Sequence, residues 1–375
     1  MRTTRRQAVC LIVIFLTLLG LLAPVEIVLA LRAGDMPEIA DLFRRAPTQA
    51  KLKQLQRNLE SRCRLGKAVR PWVQLARFVV LRDVGDKAVL GRDGWLFYRP
   101  AVRYLIEPWT PEAGENNIFN AIVSFRDDLA KRGIRLVVMP VPNKASIFPD
   151  KLAVRATETC GPVNPATRAV LARLQQAGVE IIDLFEIYGQ ARHDPAAHQC
   201  YLAQDSHWSP EGMRRAAAVA AQRLLESGLM TRGTAPYQPR PVTLQRYGDV
   251  LRMIRVPQIE RFFEPERIDC TQIVDAQTRR PYADDPNSPV LVLGDSFLRI
   301  FERDEPGNAG FVAHLACHLG FGLTSVINDG GASTLVRQQV ANRPALLEGK
   351  RIVLWEFVER DIRFGTEGWQ IIGLP

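Results

Sequence analysis

The chain has 375 residues, 47% of them hydrophobic and 24% charged. That balance suits one large α/β domain, with or without an appendage, and excludes long disorder. The net charge of +9 is spread along the chain with no long Lys/Arg run, so nucleic-acid binding is disfavoured and an anionic polysaccharide or a membrane surface suits the charge better.

The N-terminus carries an export pattern. Arg2, Arg5 and Arg6 precede an uncharged apolar run over 8–25, and after Glu26 the run resumes to Leu31. Such a run spans roughly 27 Å as a helix, about the hydrocarbon thickness of a bilayer. The expectation is a transmembrane signal anchor over 1–31, with the body on the periplasmic side of an inner membrane. A cleaved signal peptide, ending at the small-residue pattern Val28-Leu29-Ala30, is the alternative and would leave the protein in the periplasm. Of six cysteines, Cys10 falls in the apolar run. Cys160 and Cys200 lie in loop-like sequence and are the best candidates for a disulfide in an exported domain.

Residues 32–90 read as a polar, Arg-rich amphipathic connector, with Leu52, Leu55 and Leu59 at helical spacing. The main domain is expected over 91–375. It opens with a turn at Gly91-Arg92-Asp93-Gly94 and an aromatic strand, Trp95 to Tyr98. Helix and strand then alternate: a helix over 116–132, a strand over 135–142, a helix over 165–177, a strand over 179–185, and a helix from Pro210, capped by Ser209. Residues 231–289 break the alternation and read as an irregular or β-rich insertion with short strand-like pieces. It resumes with a buried strand from Val290, a strand over 323–327, a helix over 333–348 and a strand over 351–357. Strands alternating with helices imply a mainly parallel sheet covered on both faces, an α/β/α sandwich.

Two short stretches carry chemistry. In Gly294-Asp295-Ser296-Phe297 the serine follows a buried strand and opens a helix. It stands at the strand's C-terminal end, where open α/β sheets bind ligands and free N–H groups favour a developing anion. Ser296 is either a nucleophile or merely the helix cap. In Gln204-Asp205-Ser206-His207-Trp208, an aspartate two residues before a histidine can reach the ring's Nδ1. That contact fixes the tautomer and leaves Nε2 to take a proton from a hydroxyl. Asp205 as a cap and His207 as a loop donor is the plain alternative. Taken together, Ser296, His207 and Asp205 form a coherent nucleophile, base and orienting acid. The N–H groups of Ser296 and Phe297, and that of Gly331 after a later strand, are candidate oxyanion donors. His314 and His318, four apart on a helix, have metal-ligand spacing but no third ligand near in sequence, and no metal or other cofactor is expected.

Gly294-Asp295-Ser296-Phe297 and Asp205-Ser206-His207-Trp208, with Asp93 to Tyr98, Val141-Pro142-Asn143-Lys144, Phe148-Pro149 and Leu354-Trp355-Glu356-Phe357, resemble the alginate O-acetyltransferase family over about 85–365. The resemblance implies an SGNH-hydrolase-like fold with permuted motif order. It implies Ser296 as nucleophile, His207 as base and Asp205 as its orienting acid. It also implies a multi-spanning membrane acyltransferase as acetyl donor, an exported exopolysaccharide such as alginate as acceptor, and a place in a polysaccharide-export complex. Ordinary SGNH enzymes carry an oxyanion Asn after a later strand. Here the comparable strand holds Trp355-Glu356, so the third donor falls to Gly331 or to a group near Trp355. An exported carbohydrate acetylesterase with the same residues and a non-catalytic scaffold are the competing functions.

Overall fold

The computed structural model describes residues 64–375 apart from 110–113, 159–162 and 194–198, together with scattered positions between 9 and 53. The chain divides into two compact units. One comprises Met1–Asp83 with Val256–Ile259, and its long helix is α1, Arg64–Leu81. The other comprises Val84–Arg255 with Glu260–Pro375 and holds every motif described above except the N-terminal run and the Leu52/Leu55/Leu59 stretch.

The transmembrane signal anchor expected at 1–31 requires correction. No helix among the described residues is long and apolar enough to cross a membrane, and the inner-membrane anchorage inferred from that run is withdrawn with it. Most of 1–31, the Leu52/Leu55/Leu59 stretch and Cys160 lie outside the described residues. Cys200 is a buried free thiol.

The second unit is built on a five-stranded sheet of order β4-β3-β9-β7-β8, all of it parallel. Its strands are β3 (Arg135–Val141), β4 (Glu180–Ile181), β7 (Val290–Gly294), β8 (Thr324–Ile327) and β9 (Ile352–Val358). Every residue of β7 and β9 is buried, and so is all of β3 beyond Arg135. Continuous apolar runs of this kind belong to strands covered on both faces. The helices of eight residues or more in this unit are α2 (Arg99–Ile106), α3 (Ile118–Ala130), α4 (Pro165–Gln176), α5 (Leu184–His193), α6 (Pro210–Glu226), α7 (Phe311–Leu319) and α8 (Leu335–Asn342). An antiparallel hairpin of β1 (Ala88–Leu90) and β2 (Leu96–Tyr98) opens the unit. Because the sheet is parallel, the C-terminal ends of β3, β7, β8 and β9 gather along one edge.

Three local departures from the sequence reading have plain causes. The strand expected over 179–185 is only Glu180–Ile181, because the Asp183 carboxylate accepts the Phe185 N–H at 2.9 Å and starts α5 early. The helix expected over 333–348 ends at Asn342, since Pro344 cannot continue it. Within 231–289 the short strand-like pieces are two ten-residue strands, β5 (Tyr237–Arg246) and β6 (Glu266–Asp275), paired as an antiparallel ribbon.

A buried carboxylate ties the loops at the sheet edge together. Glu359, just past β9, is fully buried. It accepts the Asn143 N–H at 2.7 Å, the Ser146 and Thr167 hydroxyls at 2.7 Å each, and the Asn164 amide. Burial pushes its pKa up to about 7 against the pull of these four donors. Glu359→Ala would strand several buried donors at once and is expected to cost about 3–5 kcal/mol of stability. Urea unfolding measures this directly, and a loss below about 1 kcal/mol would show that the hub is dispensable.

Candidate active site

The stretch Cys200 to Ser209 folds back on itself. Tyr201 and Trp208 form an isolated antiparallel bridge, and the Ser209 N–H donates to the Cys200 carbonyl at 2.9 Å. Ser209, not Asp205, caps α6, its Oγ accepting the Gly212 N–H at 3.1 Å. Asp205 is thereby free for His207. Its Oδ1 accepts the backbone N–H of His207 at 3.1 Å and faces the ring Nδ1 at 2.6 Å. The first contact is a local aspartate turn, which brings residues two apart within reach of each other.

On the sheet side, β7 ends at Gly294. A side chain there would meet the Glu356 carboxylate at 2.4 Å and Leu298 at 2.5 Å, so those side chains would have to shift to make room for it. Asp295 is the cap of the short helix Ser296–Arg299, its Oδ1 accepting the Phe297 N–H at 2.8 Å. Ser296, relieved of capping, is the helix's first residue. Its Oγ lies 2.8 Å from His207 Nε2. The Phe297 ring packs against the imidazole, centroids 4.8 Å apart, and against buried Trp208, which stacks on Phe311.

The electrostatics assign the protons. The Asp205 carboxyl is wholly buried, which by itself would raise its pKa. Hydrogen bonding to His207 and the neighbouring positive charges outweigh that and hold it far below the ordinary aspartate range. An ionised carboxylate only accepts, so Nδ1 carries the proton and Nε2 is left to accept from Ser296 Oγ–H. Burial alone would lower the His207 pKa; the hydrogen bond and charge of Asp205, with the charge of Asp249, raise it instead above the ordinary 6.5.

The three auxiliary donors considered from the sequence are engaged elsewhere. The Phe297 N–H is taken by Asp295. The Gly331 N–H donates to the Asn328 carbonyl at 3.0 Å within a turn. Trp355 is fully buried in the core, with its indole N–H on the Ala332 carbonyl at 2.9 Å. Each of these groups is a packing or turn element. The Ser296 N–H, first in its helix, has no carbonyl four residues back within that helix. Arg360, just after β9, holds its guanidinium over the Phe297 ring at 5.8 Å and the Tyr98 ring at 5.2 Å, and its charge bears on both His207 and Asp295.

Other residues here were not singled out in the sequence. Lys144 is buried, and its Nζ donates to the carbonyls of Leu96 at 2.6 Å, Ala203 at 2.7 Å and Asp205 at 3.0 Å, beneath the rings of Trp95 and Phe97. The ribbon braces the same loop. Arg246, at the end of β5, donates to Asp205 Oδ2 at 3.2 Å, and Glu266, at the start of β6, accepts the N–H groups of Ala203 and Gln204 at 2.7 and 2.8 Å. Only the Val141-Pro142-Asn143-Lys144 motif offered a prior signal for any of these. Asp205, His207 and Asp249 present ligand atoms within 4.8 Å of one another, as a cation site would. Their oxygens already accept from protein donors, namely Ser206, Arg246, His207 and the Asp249 N–H, so the cluster reads as a proton network. His314 is buried, with Nε2 2.9 Å from the Thr271 carbonyl.

Comparison with known proteins is decisive at this point. Residues 88–359, more than half of the chain, match the family model described as an SGNH hydrolase-like domain, acetyltransferase AlgX. The chain belongs to this family. It is 26% identical over 302 residues to a protein of Pseudomonas fluorescens named probable alginate O-acetylase AlgJ, covering 74% of this chain and 69% of that one. Its fold is similar to the O-acetyltransferase domain of Pseudomonas putida AlgJ, with a TM-score of 0.58 and 24% identity over 74% of this chain and 92% of that domain. It is likewise similar to Pseudomonas aeruginosa AlgX, with a TM-score of 0.53 and 20% identity over 72% and 62%. AlgJ- and AlgX-like proteins thus share the α/β sandwich that gathers Ser296, His207 and Asp205 at one sheet edge here.

Proposed function

We propose that the protein is an O-acetyltransferase that carries acetyl on Ser296 and passes it to hydroxyls of an exopolysaccharide, alginate or a similar polymer. The 2.8 Å approach of Ser296 Oγ to His207 Nε2, with Nδ1 held by Asp205 at 2.6 Å, carries this reading. Family membership and the names of the AlgJ relatives supply the acetyl chemistry and the polymer class.

In the first step Ser296 Oγ attacks the acetyl carbonyl of the donor while His207 Nε2 takes the hydroxyl proton. The tetrahedral oxyanion is stabilised by the Ser296 N–H and the nearby charge of Arg360. Collapse breaks the donor's acyl bond, and the departing group takes the proton from His207. In the second step a sugar hydroxyl attacks the acetyl-serine, His207 accepts its proton, the bond to Ser296 Oγ breaks, and the proton returns to that oxygen. A multi-spanning membrane acyltransferase is the donor partner, and the enzyme works within a polysaccharide-export assembly.

Covalent capture tests the nucleophile. A sulfonyl fluoride is expected to add one sulfonyl group to the full chain, with peptide mass spectrometry locating it on Ser296. Absence of an adduct at Ser296 would favour the scaffold reading. Incubating the enzyme with an acetyl ester and a polymannuronate oligomer separates transfer from hydrolysis: acetylated oligomer is expected, and free acetate alone would mean an esterase.

A further inference from the structure

We infer that Asp249 is a second positioning carboxylate of this site, so that His207 is governed by two aspartates rather than one. The inference rests on the reading of His207 as the base given above.

Asp249 opens the short helix Asp249–Ile254, three residues beyond the end of β5. Its side chain clamps the residue between Asp205 and His207: Oδ1 accepts the Ser206 N–H at 2.6 Å and Oδ2 the Ser206 hydroxyl at 2.6 Å. Its own N–H donates to Asp205 Oδ2 at 3.0 Å. Its Oδ2 also lies 3.5 Å from His207 Nδ1. This approach is built into the backbone. A side chain on the preceding Gly248 would fall 2.2 Å from the Gln204 carbonyl group, so only glycine lets the start of this helix come close enough for these contacts. Asp249 contacts neither Ser296 nor any place where substrate would react, and it acts through Asp205, Ser206 and His207.

The charges facing it come from every side. Asp205 and His207 lie on the loop it clamps. Arg246 on the ribbon bonds Asp205, and Lys144 beneath the loop bonds the Asp205 carbonyl. Glu266 holds the loop's earlier N–H groups, and Arg360 acts on His207 from beyond β9. Burial first, then the Asp205 charge, raise the Asp249 pKa to about 6. Above that pH a second negative charge stands beside Nδ1 and favours the imidazolium. As pH falls through it, that support is lost. A plain structural clamp on Ser206 would hold the loop without moving the His207 titration.

The test reads the ring directly. In Asp249→Asn the amide oxygen can keep the Ser206 N–H contact while the charge is gone. By nitrogen-detected NMR of the full chain, without substrate, the His207 ring is expected to titrate at lower pH in the variant than in wild type. The acid limb of kcat/KM is expected to move the same way, with a loss of roughly 10- to 100-fold in rate. Coincident His207 midpoints in the two proteins would overturn the inference. The wild-type protein gives a second, independent reading that does not depend on the variant folding. The Asp249 carboxyl carbon is expected to titrate well above the usual aspartate range, and an ordinary midpoint would also overturn the inference. Failure of the nucleophile assignment would appear separately, as acetyl transfer surviving in Ser296→Ala, and would leave both midpoints as they are.

Discussion

Ser296→Ala is expected to abolish acetyl transfer, with a loss on the order of 10⁴- to 10⁶-fold, while leaving stability within about 0.5 kcal/mol of wild type. The two halves of this expectation have separate physical sources. Ser296 Oγ is the hydroxyl within hydrogen-bond reach of His207 Nε2, so its removal leaves no oxygen to attack the donor and carry the acetyl. The helix it opens is capped by Asp295, whose Oδ1 takes the Phe297 N–H at 2.8 Å, and the turn before it depends on Gly294 and Glu356. Neither feature uses the serine oxygen. Losing a capping serine would cost about 1 kcal/mol, and that cost is not expected here. Mass spectrometry of an acetylated oligomer reads the first half and thermal unfolding the second. A variant that is folded and still acetylates polymer at a comparable rate would remove Ser296 from the mechanism.

The parts of this site visible in the sequence were those whose partners are near in the chain. Asp205 and His207 are two residues apart and meet through a local turn, so their spacing carried the signal. Val290 to Leu293 announced a strand buried on both faces because an unbroken apolar run has few other uses. Ser296 was ambiguous because a serine at a helix start serves as well for a cap as for a nucleophile. Its neighbour Asp295 takes the capping bond, which leaves the Ser296 hydroxyl without that role. What was illegible depends on contacts across long stretches of chain. Glu359 meets Asn143 and Asn164 across about two hundred residues, and Arg246 and Asp249 reach Asp205 from a segment that reads as an irregular excursion. The ribbon's strands leave only a weak pattern in the sequence, because every residue of β5 is exposed or half-buried and it carries two prolines, Pro239 and Pro241. The hydrogen bonds of the oxyanion candidates were illegible for a related reason. Phe297 and Gly331 have N–H groups in suitable places along the chain, but local turns had already claimed them, and a turn's hydrogen bond leaves no trace in composition. The N-terminal run shows the opposite risk. An apolar run behind Arg2, Arg5 and Arg6 carried that expectation, and no described helix is long and apolar enough to cross a membrane.

Asp205→Asn carries the second largest expected effect, a loss of about 10⁴-fold in kcat with the chain still folded. Both oxygens of Asp205 are acceptors in four contacts. Oδ1 receives the Nδ1–H and backbone N–H of His207, and Oδ2 receives Arg246 and the Asp249 N–H. An asparagine can accept through one of its two atoms only. If its oxygen faces His207, its NH₂ points at the donors of Arg246 and Asp249, which already hold that side with hydrogens of their own. If it turns over, its NH₂ faces Nδ1, which must then give up its proton and accept. The imidazole is forced into the tautomer protonated at Nε2, and it can no longer take the Ser296 proton. The pH profile separates this loss from simple misfolding. In wild type, Asp205 and Asp249 raise the His207 pKa above its ordinary value, so activity falls as pH drops through that raised midpoint and the base becomes protonated. Without the Asp205 charge, burial acts on the ring with less opposition and the residual activity's acid limb is expected at lower pH than in wild type. A residual rate whose acid limb coincides with that of wild type would mean that Asp205 only holds the loop and does not set the charge on His207.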